Sequence, residues 1–348
     1  MPINLDVLKV PKPFVIQNHI DRYYNSLKPF REWYKILIEQ SPHLKEIKED
    51  ACYVCPLCLR SILIIFNKHN ISANSHFDMD HFPPESVGGK NEIMVCQQCN
   101  NRSGFTFEFE LINYLKFHGF VSGNIKSTIP ITIRLKKESE YIPGFYCAEL
   151  KNEVDGRIID FKNINKTIPV REFLEYTRLH PDNYEMNVTG QFPNEKKIGL
   201  SLTKAAFLYC FELWGYEFAF SQSAHQMRRV ILGEIDCPYK VGYSFLVDEN
   251  FDKMPKGVCV VGYPENIKEY MVMIPLIDPS TCFKMKAGVF IPNPYDTEWR
   301  FYDITNLGKT EMKIAPLFKY DINTNIHGYM TTWDRYINNK LVPKEITE

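Results

Sequence analysis

The chain has 348 residues, enough for about two domains at roughly 150 residues each. Hydrophobic residues make up 45% and charged residues 24%, a composition that supports a sizeable core and excludes a disordered chain. Lys and Arg total 41 against 42 Asp and Glu, and the net charge of -1 excludes a protein that coats nucleic acid by bulk charge, though not one with a local nucleic-acid site.

Residues 1–50 read as a helical lead. Ile20, Tyr23, Tyr24 and Leu27, then Phe30, Trp33, Tyr34 and Leu37, recur at three- and four-residue spacing, with Pro29 between two helices. The first fifteen residues carry Asp6, Lys9 and Lys12 and are broken by Pro2, Pro11 and Pro13, unlike a signal peptide. No stretch reaches the roughly 18 apolar residues that a membrane span needs. The expectation is a soluble cytoplasmic protein with no membrane partner.

Residues 51–107 hold all five clustered cysteines, with turn signals at Pro83-Pro84 and Gly88-Gly89, and 108–119 read as a helix. Residues 126–165 read as strands, with Ile129, Ile131 and Ile133 alternating and a turn at Asp155-Gly156. Residues 201–233 read as two helices, the first capped by Ser201 and stopped by Gly215, the second carrying Arg228 and Arg229. Strands follow at 243–247, 258–261, 271–276 and 282–291. No internal repeat is visible.

The chain has ten cysteines, and Cys52, Cys55, Cys58, Cys96 and Cys99 fall within 48 positions. Cys147, Cys210, Cys237, Cys259 and Cys282 are scattered and read as small buried hydrophobes. In a reducing compartment the clustered set reads as metal ligands. Cys55-Pro56-Leu57-Cys58 and Cys96-Gln97-Gln98-Cys99 are CxxC pairs separated by 37 residues. Each pair puts two sulfurs on one turn, and two such turns make a closed structural zinc site. Cys52 also forms a CxxC with Cys55. Pro56 suits the tight knuckle, which favours Cys55 and Cys58, and leaves Cys52 as a spare able to replace either.

Between the pairs lies Asp80-His81, ahead of Pro83, Pro84, Gly88 and Gly89, and after them comes Asn100-Asn101-Arg102. A carboxylate suits a hard divalent ion, and a neutral imidazole takes a proton from water. The pairing of these two is what metal-assisted hydrolysis needs.

In the order of these motifs, residues 51–107 resemble the zinc-stapled subgroup of the HNH endonucleases. The resemblance implies a treble-clef, ββα-metal module, with His81 as the general base. It implies Asp80 and Asn100 as ligands of a catalytic Mg²⁺ or Mn²⁺, and Asn91 as the residue that holds the loop and orients the base. Cys55, Cys58, Cys96 and Cys99 would hold a structural Zn²⁺, and Arg102 would bind a substrate phosphate. Many members carry a second His where this chain has Gly104; a further metal ligand would then come from substrate phosphate, Asp78 or Glu108. The fold class expected is α+β, with a helical lead at 1–50, the nuclease module at 51–120 and a larger mixed α+β domain at 121–348.

Other residues have plainer readings. His76 shares a strand face with Asp78 and Asp80 but reads as exposed. Glu85 reads as solvated, and His118, His180, His225 and His327 as structural. Arg228, Arg229 and Lys204 could face DNA, though paired arginines on a helix more often form surface ion pairs. Trp214, Tyr216 and Phe218 would line a pocket or fill the core.

Four positive charges balance four negative ones in 51–107, so affinity for nucleic acid would need the C-terminal body as reader, regulator or oligomerisation unit. The leading expectation is a metal-dependent endonuclease on double-stranded DNA, in restriction or anti-phage defence. The alternatives are a non-catalytic zinc treble clef that binds nucleic acid or protein, and an RNA-cleaving nuclease.

Overall fold

The structure is a computed structural model describing residues 51–67, 70–73, 76–125, 127–137, 140–141, 146–163, 178, 184–190, 193–236, 243–246, 251–253, 255–263, 270–291 and 313–316. The helices expected within 16–50 lie outside them. The fold is mixed α+β, with antiparallel sheets throughout the described residues. No helix among them is long and apolar enough to cross a membrane.

The cysteine segment opens with a three-stranded sheet of β1 (Ala51–Val54), β2 (Ile62–Asn67) and β3 (Asn70–Ala73). The β1–β2 connection is a knuckle. Cys55 N–H donates to the Ser61 carbonyl at 2.8 Å, and Leu59 N–H to the Cys55 carbonyl at 2.9 Å. Next come β4 (Phe77–Phe82) and β5 (Asn91–Cys96), a hairpin that pairs Asp80 with Ile93 and His81 with Glu92. A helical run follows directly: α1 (Gln97–Ser103), a π-turn (Gly104–Glu108) and α2 (Phe109–Val121).

The Gly88-Gly89 signal has a steric cause in the hairpin loop. A Cβ on Gly89 would lie 1.6 Å from the Pro83 carbonyl oxygen. Gly88 has φ +86°, and a Cβ there would lie 2.9 Å from Ile277 Cβ. Only glycine lets the loop close on itself and against that neighbour.

Strands β6 (Thr128–Lys137), β7 (Glu140–Tyr141), β8 (Tyr146–Glu153), β9 (Gly156–Asn163) and β10 (Tyr184–Gly190) form a second sheet in the order β10-β6-β8-β9, with β7 on β6. Its turn falls one residue earlier than the sequence suggested. Glu153 pairs with Gly156, so Val154 and Asp155 are the turn residues, and Gly156 takes φ +143°. Ile131, Ile133 and Ala148 make a small core of its own.

The long helix α3 (Glu195–Trp214) starts six residues before the expected Ser201 cap. Asn194 caps it, accepting from Lys197 N–H at 3.1 Å, while Ser201 is buried inside the helix. Its polar first turn, Glu195-Lys196-Lys197, carries no apolar period, so a periodicity reading starts late. Gly215 ends it at φ +63°. Helices α4 (Tyr216–Ala219) and α5 (Gln222–Ile231, capped by Ser221) follow.

The third sheet, in the order β11-β14-β13-β12-β15, comprises β11 (Tyr243–Leu246), β12 (Gly257–Tyr263), β13 (Tyr270–Ile277), β14 (Lys284–Ile291) and β15 (Lys313–Pro316). Helix α3 packs against it on one side and against β4, the π-turn, α2 and α5 on others. From Ser201 to Leu208 every residue of α3 is buried, the signature of a central helix. One core joins Tyr53, Ile93 and Leu115 to Leu202, Phe207, Val272 and Ile291, and so runs across residue 120. Trp214, Tyr216 and Phe218 belong to it, and Tyr216 hydroxyl closes on the Val54 backbone at 2.7 and 2.6 Å.

Candidate functional site

The Sγ atoms of Cys55, Cys58, Cys96 and Cys99 lie within 4.8 Å of one another, placed to hold a metal ion such as zinc. Cys58 and Cys96 sulfurs are 3.8 Å apart. Bonds of about 2.3 Å to a tetrahedral zinc put sulfurs about 3.8 Å from each other, so the spacing fits. The first pair comes from the β1–β2 knuckle, and the second from the end of β5 and the first turn of α1. Backbone N–H groups point at the sulfurs, Cys96 to Cys55 and Arg60 to Cys58, each at 3.4 Å. Burial pushes the Cys55 thiol up, and hydrogen bonding, first from Cys55, pulls the Cys58 thiol down. Cys52 sits on β1 opposite Ile64, and the cluster takes Cys55.

The other expected site residues divide between the two faces of the hairpin. Alternation along β4 turns Asp80 inward and His81 outward. Asp80 is 3% exposed, and the His81 side chain is 29% exposed. His81 Nε2 faces Glu92 Oε1 at 3.0 Å, directly across the hairpin. Asn91, at the start of β5, donates from Nδ2 to Glu212 Oε2 on α3 at 2.9 Å, so it ties the hairpin to the central helix.

Asp80 meets a group that the sequence reading put on the surface. Lys204 of α3 is 1% exposed, and its Nζ lies 2.6 Å from Asp80 Oδ2. The same ammonium lies 2.6 Å from Glu108 Oε1 and 2.7 Å from Ser103 Oγ. Burial raises the carboxyl pKa of both Asp80 and Glu108, and Lys204 pulls each the other way. Burial opposes the Lys204 charge, but the two carboxylates outweigh it and hold its pKa above the ordinary lysine value.

Arg228 also departs from the surface reading. It is buried, and its guanidinium donates to the Ala219 carbonyl. Burial lowers its pKa to about 10, against the pull of Cys58 nearby. Only Arg229 forms the expected surface pair, 3.8 Å from Glu234. Arg102 is exposed on α1, with its guanidinium on the Leu232 carbonyl just beyond α5. Asn100 follows Cys99 in α1 and is half-buried. Among the described residues no second group of three or more His, Cys, Asp or Glu gathers as the cysteines do.

The sequence reading missed Glu92, Ser103 and Glu212, and misplaced Lys204. Glu92 was out of reach, because a hairpin centred on Gly88-Gly89 would set His81 opposite Cys96, whereas the observed register pairs Phe77 with Cys96 and His81 with Glu92. Lys204 carried a weak signal, a lone cation inside the run Leu202 to Leu208. Compared with known proteins, the chain matches no family model, no curated protein and no solved structure.

Proposed function

We propose that this chain is an HNH-type endonuclease that hydrolyses phosphodiester bonds in DNA, with His81 as the general base. The observation that carries the reading is the position of His81. It stands half-exposed on a hairpin strand, held by a carboxylate, in a hairpin whose junction with the following helix the four-cysteine cluster joins to the β1–β2 knuckle. An imidazole open to solvent and oriented through one nitrogen is disposed to take a proton through the other.

Glu92 engages Nε2, which leaves Nδ1 for water. His81 removes the proton, and the water oxygen bonds to phosphorus as the P–O3′ bond breaks. The 3′ oxygen leaves and takes a proton from solvent, while His81 later returns its own proton to solvent, giving 5′-phosphate and 3′-hydroxyl ends. Zinc held by Cys55, Cys58, Cys96 and Cys99 would do no chemistry in this scheme; it would fix the β1–β2 knuckle against the junction of β5 and α1. The resemblance adds a divalent ion at Asp80 and Asn100. The donor set does not fit one as it stands, because the Lys204 ammonium is paired with Asp80.

The test incubates zinc-loaded protein with plasmid, phage DNA carrying modified bases, single-stranded DNA and RNA, with Mg²⁺, Mn²⁺ or neither. Cleavage that His81→Ala abolishes supports the reading, and the preferred substrate separates DNA from RNA and marks a role in phage defence. No cleavage in any arm, by protein that keeps one metal per chain, sinks it. One observation favours a second reading, a non-catalytic binding module: the buried Asp80 carboxylate is committed to an internal ion pair.

A further inference from the structure

The Lys204 cluster has the donor chemistry of a hard-cation site. Its acceptors are all oxygen: two carboxylates and a hydroxyl, from Asp80 on β4, Glu108 on the π-turn and Ser103 on α1. Oxygen-only sets rich in carboxylate select Mg²⁺, Mn²⁺ or Ca²⁺ over softer ions. Three separate elements bring these oxygens to one buried point. A lysine from a fourth element, α3, fills that point: its ammonium hydrogen-bonds Ser103 and Glu108 and forms an ion pair with Asp80.

The cluster also obeys the rule for buried charge. A carboxylate as buried as Asp80 needs a cation, and an ammonium as buried as Lys204 needs anions. Each is supplied by the other, and Glu108 completes the set. A divalent ion bonds its oxygens at about 2.1 to 2.5 Å, inside the distance at which Nζ already sits. The ion and the ammonium would therefore compete for the same oxygens, with like charges in direct contact.

We infer that Lys204 is the resident cation of this site: its ammonium stands where a divalent ion would bind between Asp80 and Glu108. The inference goes beyond the nuclease reading and does not rest on it. It also predicts that a divalent-metal site is latent beneath Lys204.

The experiment counts bound Mn²⁺ by electron paramagnetic resonance in the full-length, zinc-loaded chain, since zinc is silent. The expected result is no micromolar Mn²⁺ site in the wild type and no change in Asp80→Asn. Lys204→Ala should gain one Mn²⁺ per chain, and Lys204→Ala/Asp80→Asn should lose it again. A wild type that binds one Mn²⁺ at micromolar concentration, abolished by Asp80→Asn, overturns the inference. So does a Lys204→Ala protein that keeps its zinc and its cooperative melt but gains no Mn²⁺. Should Lys204→Ala fail to fold, Lys204→Met replaces the stem with an apolar one of similar length, and the comparison of wild type with Asp80→Asn still decides. Failure of the nuclease reading shows in cleavage, and failure of this inference shows in the Mn²⁺ count.

Discussion

His81 Nε2 and Glu92 Oε1 face each other at 3.0 Å across the β4–β5 hairpin, each residue half-exposed. Strand register brings the pair together, since both residues occupy directly opposed positions. If His81 is the base, His81→Ala removes about 10²- to 10⁴-fold of cleavage rate, the usual worth of general-base catalysis. Glu92→Gln keeps a hydrogen-bonding group of the same size, so it should lose less, and in kcat rather than KM. Steady-state kinetics on an oligonucleotide substrate checks both. Equal rates for His81→Ala and wild type would remove His81 from the chemistry.

The cysteine cluster should hold one zinc per chain, measured by inductively coupled plasma mass spectrometry. Cys96→Ser should lose it and lose the cooperative melt, because Cys96 joins the end of β5 to α1. Structural zinc contributes about 10 kcal/mol or more in small zinc domains, far above the margin of most folds. Zinc should leave as pH falls, since each ligand must be a thiolate to bind. Cys52→Ser should keep full zinc content, because the cluster takes Cys55.

Asp278 ties the β13–β14 connection and sets an acid limit on stability. Its Oδ1 accepts from Ser280 N–H at 2.9 Å and Ser280 Oγ at 2.6 Å, and its Oδ2 from Thr281 Oγ1 at 2.8 Å. Burial alone would raise its pKa, but these hydrogen bonds outweigh that and hold it below the ordinary aspartate value of 3.8. A depressed folded pKa means the contribution is complete above 3.8 and is lost as pH falls through the folded value. Asp278→Ala should therefore cost about 1.5 to 3 kcal/mol near neutrality, and the gap to wild type should narrow in strong acid. Urea melts across a pH series measure it.

Gly89 and Gly123 make a matched steric test. A Cβ on Gly89 would meet the Pro83 carbonyl at 1.6 Å, whereas a Cβ on Gly123, at φ +81°, would meet nothing within 4 Å. Gly89→Ala should cost about 3 kcal/mol or more through backbone displacement, and Gly123→Ala only about 1 kcal/mol of conformational strain. Thermal melts of the two proteins check the order.

What was legible in the sequence was local. Two sulfurs on one turn, Pro56 in the knuckle, the glycine pair in the hairpin loop and the alternation of Ile129, Ile131 and Ile133 each follow from neighbours a few residues apart. Gly215 was legible as a stop because its φ of +63° suits glycine. The start of α3 was not, because Asn194 caps a first turn that has no apolar residue.

The sequence by itself determined which residues could gather at the cysteine cluster, since spacing alone limits how far apart a CxxC pair can be. It also determined that Asp80 and His81 point to opposite faces of any strand that contains both. Only the tertiary structure decided which face was inside and what waited there. Lys204 and Arg228 look like surface charges in a chain read one helix at a time. They are buried because α3 is enclosed on several sides and α5 packs against it, and a charge brought into that interior must find its counter-charge or hydrogen-bond acceptors there. For Lys204 those partners are Asp80 and Glu108, far away in the chain and brought into contact only by packing.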